Sequence, residues 1–334
     1  MISKWYNART QCMFTVERSS RMNIQPQTDE QSYEYTTFPR VFVTYAWFKP
    51  LLVALLTAVF SFMILGITIL IGLLWLGDPG LVIEALMSNS SPYFYSGPGL
   101  LMAVGGVAGM LPALALAERI VRGRPFSSYS SSRGGWNWAA YVKCLVLAVV
   151  VFGAESVAMI LCMPDAGADG INKFTIFGAV ICIVSVPLQA AAEEYIYRGL
   201  LMQAIGSWTK LPALAVVLSA IIFGVSHSYG VLGITAVGIQ GLGFAFLAWY
   251  SRGLEASSAA HAANNLSVFI FSGLGFGSAG SGGIETVLIS SGVMLLYCAC
   301  IVLLDRKFNW FTSQGDGVTA FNEKYGSKAG SKAA

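Results

Sequence analysis

The stretch FGAVICIVSVPLQAAAEEYIYR, Phe177 to Arg198, decides the fold. Sixteen residues without a charge, Phe177 to Ala192, run into two adjacent carboxylates, Glu193 and Glu194, and Arg198. The apolar run resumes with Gly199, Leu200, Leu201 and Met202. A charged side chain at membrane depth costs roughly 2.5–3.5 kcal/mol on insertion scales, so such groups are generally paired and functional. On a helix, Glu194 and Arg198 stand four apart in the order that favours an ion pair. Glu193 is turned by about 100°. Arg198 therefore neutralises one glutamate and leaves the other free. Taken alone, the hexapeptide reads equally as a structural salt bridge with a spare acid.

Working outward, the 334 residues are 55% hydrophobic and only 11% charged. Soluble domains carry about a quarter charged residues, so the composition is that of a membrane-embedded chain. The formal net charge of +3 is small, and no nucleic-acid partner is expected. Six cysteines, at 12, 144, 162, 182, 298 and 300, form no CxxC pair and read as small core side chains. The first 40 residues are polar and mixed and do not resemble a cleavable signal peptide.

Eight apolar segments approach the ~20 residues that a bilayer core requires. They lie near 50–76, 97–117, 137–162, 174–197, 211–228, 232–250, 256–272 and 284–304. The expected fold is an all-α polytopic bundle of about eight transmembrane helices. Nineteen of the twenty Lys and Arg residues fit one orientation, with both termini cytoplasmic, and Lys173 is the exception. Residues 1–46 read as a disordered cytoplasmic tail in which Met22 is an alternative start. Residues 47–173 form the first membrane helices, and 174–272 the core that carries the polar motifs. An outer loop and last helix follow over 273–305. Residues 306–334 form a flexible tail, Gly/Ser/Lys/Ala-rich from Gly315 onward. Glycines at 230, 233, 238, 241 and 243 place the sixth span at the bundle centre, where backbones approach closely; glycine is also simply common in membrane helices.

The chain has two histidines, His227 and His261, both in expected spans. Phe223 and His227 share one helix face, as do His261 and Asn265. Glutamate, two histidines and an asparagine can activate water and bind an oxyanion. Three readings follow. In the first, Glu193 and His227 hold a water that attacks a peptide carbonyl, and His261 with Asn265 stabilises the oxyanion. In the second, Glu193, His227 and His261 bind zinc. In the third, the groups form a transporter relay or a structural network. A serine-type site fits poorly, because Gly277 to Gly282 lacks a GxSG pattern and falls in the outer loop. An aspartyl site also fits poorly: no aspartate lies mid-span, and Gly315-Asp316 is in the tail.

Three motifs occur in order: EExxxR from Glu193 to Arg198, FxxxH from Phe223 to His227, and HxxxN from His261 to Asn265. Together they resemble the CPBP family, the CAAX prenyl endopeptidases of the Rce1 type and bacteriocin-processing proteins, also called ABI. The resemblance covers roughly 174–272 and extends to the glycine-rich Gly241 to Gly243. It implies a helical bundle with an in-membrane cavity open to the cytoplasm and a glutamate protease mechanism without metal or other cofactor. Glu193 and His227 would activate water, His261 and Asn265 would form the oxyanion site, and Glu194 and Arg198 would support them. The implied substrate is a membrane-associated peptide or protein cut near the cytoplasmic side of the bilayer. The implied location is a cell membrane, and the positive-inside layout fits a bacterial cytoplasmic membrane. The alternative from another class is a non-proteolytic membrane scaffold or immunity protein.

Three side chains outside the motif set carry lesser expectations. Glu155, mid-span, lines the cavity, pairs with Lys143 or Arg198, or is a hydrogen-bonded packing residue, the last being preferred. Tyr195 and Tyr197 flank the acids and are candidates to shape the pocket. One conflict concerns depth. From Lys210, His227 lies about 25 Å along its helix, whereas Glu193 is only about 8 Å from Arg198. Either the motif helix runs deeper with Arg198 buried beside Glu194, which is preferred, or the fifth helix starts within the membrane.

Overall fold

The computed structural model describes residues 33–88, 91–162, 168–276, 283–312, 318–319 and 321–324. Each of the eight apolar segments is a helix, and no strand occurs among the described residues. We number them α1 (Lys49–Leu76), α2 (Gly97–Val121), α3 (Trp138–Cys162), α4 (Ile176–Thr209), α5 (Pro212–Val225), α6 (Val231–Ser251), α7 (Glu255–Gly273) and α8 (Ile284–Phe308). Six are long and apolar enough to cross a membrane. Of the other two, α5 has only 14 residues. The first part of α7 carries Glu255, Ser257, Ser258, His261, Asn264 and Asn265. Rows of large apolar side chains face outward, such as Leu55, Phe62, Leu70 and Leu74 on α1 and Leu288, Leu295 and Leu303 on α8. Water would not tolerate such continuous apolar surface, and lipid requires it. The protein is a multi-pass membrane protein.

The motif helix α4 resolves the depth conflict. Thr175 caps its first turn by accepting the Gly178 N–H. The helix does not end near Arg198 but continues to Thr209, so the expected 174–197 boundary falls twelve residues short. Gly199, Gln203 and Ser207 resemble an exit from the membrane, but they are buried against other parts of the chain. From Tyr195 to Met202 the helix is wound as a π-helix, an irregularity often found at functional sites. Lys210 then adopts the left-handed conformation (φ 59°), and Pro212 starts α5, which runs back along α4. Glu193 lies sixteen residues, about 24 Å, before that turn, and α5 carries the chain about 20 Å back. The hairpin thus brings His227 toward the level of Glu193, and Arg198 is wholly buried beside Glu194, as preferred.

The central position of α6 rests on particular glycines. A Cβ on Gly224 of α5 would lie 3.0 Å from the Gly238 Cα of α6, so the two backbones cross there in close contact. One on Gly241 would meet the Phe223 ring at 2.8 Å. Gly230 and Gly238 themselves have open space at the Cβ position, so these two residues gain nothing sterically from lacking a side chain.

The expected tails are partly folded. Residues 33–46 are not a free tail: Tyr35, Thr36, Phe38 and Phe42 are buried. Tyr35 donates from its hydroxyl to the Tyr129 carbonyl (2.6 Å), and Arg40 reaches the Ser207 carbonyl (2.9 Å). Near the C-terminus, Val318 and Phe321 pack on Phe38 and Phe42, and Asn322 bonds the Val41 carbonyl. The signal is the aromatic spacing of Tyr35, Phe38 and Phe42, which a disordered tail does not need. Residues 1–32, with Met22, lie outside the described residues, as do Gly277 to Gly282 and Gly315-Asp316.

Candidate active site

The site forms where α4, α5, α6 and α7 meet. Glu194 is fully buried, and its Oε1 accepts from Arg198 Nη1 (2.9 Å) and from His261 Nδ1 (2.9 Å). Arg198, also fully buried, gives its second arm to the Gly241 carbonyl (2.7 Å). Its guanidinium lies 4.5 Å from the Phe223 ring centroid and 5.4 Å from that of Phe244. Aromatic faces stabilise a cation that water cannot reach. Phe244 also stacks on the imidazole of His261 (4.6 Å, 16°). The absence of a side chain at Gly241 is therefore what lets the α6 carbonyl approach the arginine.

His261 bridges the two glutamates. With Nδ1 bonded to Glu194, its Nε2 faces Glu193 Oε2 at 3.3 Å. That Oε2 is buried and has no hydrogen-bond partner, so the contact with Nε2 is an ion-pair approach and not an aligned hydrogen bond. When His261 carries both ring protons, two carboxylates, one guanidinium and one imidazolium sum to zero charge. Neutrality of that kind is what a low-dielectric interior favours.

The HxxxN motif forms a second polar rung one helical turn away. Helices α4 and α7 run antiparallel, so Glu193 faces His261 and Gln189 faces Asn265. Asn265 Nδ2 donates to Gln189 Oε1 (3.1 Å). Asn265 Oδ1 accepts from Asn264 Nδ2 (3.0 Å), and Asn264 Oδ1 from Gln240 Nε2 (3.4 Å). Gln189, Asn264 and Gln240 are absent from the motif set. Their signal is that of any polar side chain in an apolar helix, and Gln189 stands four residues before Glu193.

The second motif departs from the expectation. His227 is not on the α5 helix with Phe223 but two residues beyond its end at Val225. Its ring nonetheless packs against Phe223 (4.8 Å), and Nδ1 bonds the Phe223 carbonyl (2.8 Å). A carbonyl only accepts, so Nδ1 carries a proton, and in the neutral ring the lone pair is on Nε2. Among the described residues no ion pair or hydrogen bond joins His227 to Glu193, the pairing expected for holding water. The Phe223 ring that packs on His227 also lies against His261 (5.7 Å). Tyr229 stacks on His227 (5.7 Å) and lies within electrostatic reach of Glu193. The zinc set does not gather either: among the described residues no group of three His, Cys, Asp or Glu side chains is arranged to hold a metal ion.

The lesser candidates separate. Tyr197 borders the site, donating to Ser226 Oγ (2.7 Å). Tyr195 points away into a stack with Phe126 and Trp136. Glu155 accepts from Ser290 of α8 (2.7 Å) and pairs with neither Lys143 nor Arg198, which makes it the hydrogen-bonded packing residue. Two arginines between α2 and α3 are structural. Arg124 bonds Gln203 and the Gly199 carbonyl of α4. Arg133 forms a buried pair with Glu255 (2.6 Å) at the start of α7.

Residues 172–267 match the family model described as type II CAAX prenyl endopeptidase Rce1-like. Over this segment the chain is similar to the CPBP (CAAX protease) family. The matched segment contains every side chain of the site, from Gln189 to Asn265. Among curated proteins, an uncharacterized protein of Bacillus subtilis (strain 168), YyaK, is 29% identical over 171 residues. That match covers 48% of this chain and 57% of the relative's length. No solved structure matches the chain.

Proposed function

We propose that this chain is an intramembrane endopeptidase that hydrolyses a peptide bond of a membrane-associated peptide or protein, with Glu193 as the base. Glu193 takes a proton from water, and the hydroxide oxygen bonds to the substrate's carbonyl carbon. The carbonyl oxygen becomes an oxyanion that accepts from Asn265 Nδ2 and from the Nε2 proton of His261. Collapse breaks the C–N bond, and the leaving amine recovers the proton from Glu193. The lone pair of His227 Nε2 suits it to accept a water hydrogen as the second anchor of the nucleophile.

The observation that carries this reading is the bridge His261 makes between the two glutamates. It supports different roles for them: Glu194 is neutralised by Arg198 and fixes the imidazole through Oε1, whereas Glu193 meets the imidazole only at 3.3 Å; each keeps a buried Oε2 without a hydrogen-bond partner. Water has a route as well. The stretch from Ser226 to Gly230 is non-helical and mostly exposed. At membrane depth, irregular backbone is tolerated only where it is buried in protein or lines a water-filled space. The family description names a prenyl endopeptidase, so a prenylated C-terminus is one substrate class, beside bacteriocin leaders and other membrane peptides.

The test compares membranes carrying wild type and Glu193→Ala by terminomics, with a chelator arm. Cleavages that vanish in Glu193→Ala, with folded protein retained and no chelator effect, are the expected result and name the substrate. Loss with chelator as well would favour the zinc reading. Unchanged cleavage patterns would replace the protease with the scaffold reading.

A further inference from the structure

Asn265 is held at both ends of its amide. Its Oδ1 is occupied by Asn264 Nδ2 at 3.0 Å, and one Nδ2 hydrogen is directed to Gln189 Oε1 at 3.1 Å. A primary amide has two N–H donors, so the arrangement leaves one hydrogen for a further acceptor. Without these partners the amide can turn over about its terminal torsion and present oxygen where nitrogen now lies, since that torsion is broad and roughly two-fold. A carbonyl oxygen facing an oxyanion would repel it.

Resting on the protease reading above, we infer that Gln189 is a positioning residue for the reaction: it fixes which end of the Asn265 amide faces the substrate. The assignment rests on geometry. Gln189 is a buried polar side chain, 8% exposed, in the apolar part of α4. It stands one turn before Glu193, so a single helix carries both the base and the acceptor that orients the oxyanion donor. The opposite end is secured from α6 through Gln240 and Asn264. Water and oxyanion groups are thereby tied to adjacent turns of the same two helices, and their spacing is set by helix rise, not by loop conformation.

The experiment follows the rate at which the Glu193-dependent N-termini appear in isolated membranes. The variants are Gln189→Met, Gln189→Glu, Asn265→Ala and the double variant Gln189→Met with Asn265→Ala. Asn265→Ala is expected to slow cleavage roughly a hundredfold, the scale of one lost oxyanion donor. Gln189→Met removes the acceptor while keeping length and volume, and is expected to slow cleavage between about ten- and a hundredfold, as misplacement of a catalytic group does. The double variant should be no slower than Asn265→Ala, because an absent amide needs no orienting. Gln189→Glu, which keeps an acceptor oxygen at the same reach, should recover most of the rate. Equal loss in Gln189→Met and Gln189→Glu, or a loss that adds in full to that of Asn265→Ala, overturns the positioning role and leaves Gln189 a packing residue. If Glu193→Ala itself removes no cleavage, the protease reading fails, and that failure is distinct from one confined to the Gln189 variants.

Discussion

Replacing Arg198 by methionine should be among the most destabilising single changes available in this bundle. The guanidinium is fully buried and bonds Glu194 Oε1, which also accepts from the His261 imidazole. Its removal leaves a carboxylate without its neutralising partner and the Gly241 carbonyl without its donor. Breaking one side of a buried pair costs about 3–5 kcal/mol, which is roughly two to three and a half orders of magnitude in the folding equilibrium. Glu194→Leu should cost a similar amount for the reciprocal reason. The double variant, Glu194→Leu with Arg198→Met, removes both charges and leaves only the His261 Nδ1 and the Gly241 carbonyl unsatisfied. At about 1–3 kcal/mol for each orphaned group, its cost should be roughly 2–6 kcal/mol, against about 6–10 kcal/mol if the two single effects added. The cycle therefore carries a coupling of roughly 4 kcal/mol. It can be measured by reversible unfolding of the purified protein in mixed micelles with increasing SDS, followed by tryptophan fluorescence. Additive single effects, within about 0.5 kcal/mol, would show that Glu194 and Arg198 do not act as a unit and would refute the account of the site's charge balance.

Three glycines give further tests. Gly241→Ala would put a Cβ 2.8 Å from the Phe223 ring and 3.2 Å from Arg198 Nη2, and should cost about 1–3 kcal/mol by overpacking. Gly238→Ala, with nothing within 4 Å of the added atom, should stay within about 0.5 kcal/mol of wild type; equal losses in the same unfolding assay would contradict the packing described. Gly206→Ala would place its Cβ 2.5 Å from the Thr36 carbonyl oxygen and should loosen residues 33–48. Tryptic cleavage after Arg40 should then accelerate by at least about tenfold, the equivalent of 1.4 kcal/mol of local opening, and an unchanged rate would mean that this segment is held elsewhere.

What the sequence by itself determined is what local composition controls. Apolar runs near twenty residues must become helices in a bilayer, since no other open structure satisfies their backbone groups. All eight segments could thus be read without coordinates. The Glu194–Arg198 pair was also legible, because an i, i+4 contact lies within one helix. The motifs made Glu193, His261 and Asn265 candidates, but their spacing along the chain could not say which would touch.

Tertiary structure decided the rest. His261 pairs with the two glutamates because α7 runs antiparallel to α4 in a register fixed by helix packing, a contact 67 residues apart in the chain. His227 was misread as helical because Ser226 and His227 follow an apolar run with no proline or charge to mark the end of α5. The true extent of α4 was hidden for the opposite reason. Gly199, Gln203 and Ser207 look like residues leaving a membrane, yet Arg124 bonds Gln203 and the Gly199 carbonyl there, and Arg40 bonds the Ser207 carbonyl. Polar side chains announce that a partner exists; only the packed bundle determines which partner, because distant segments supply it.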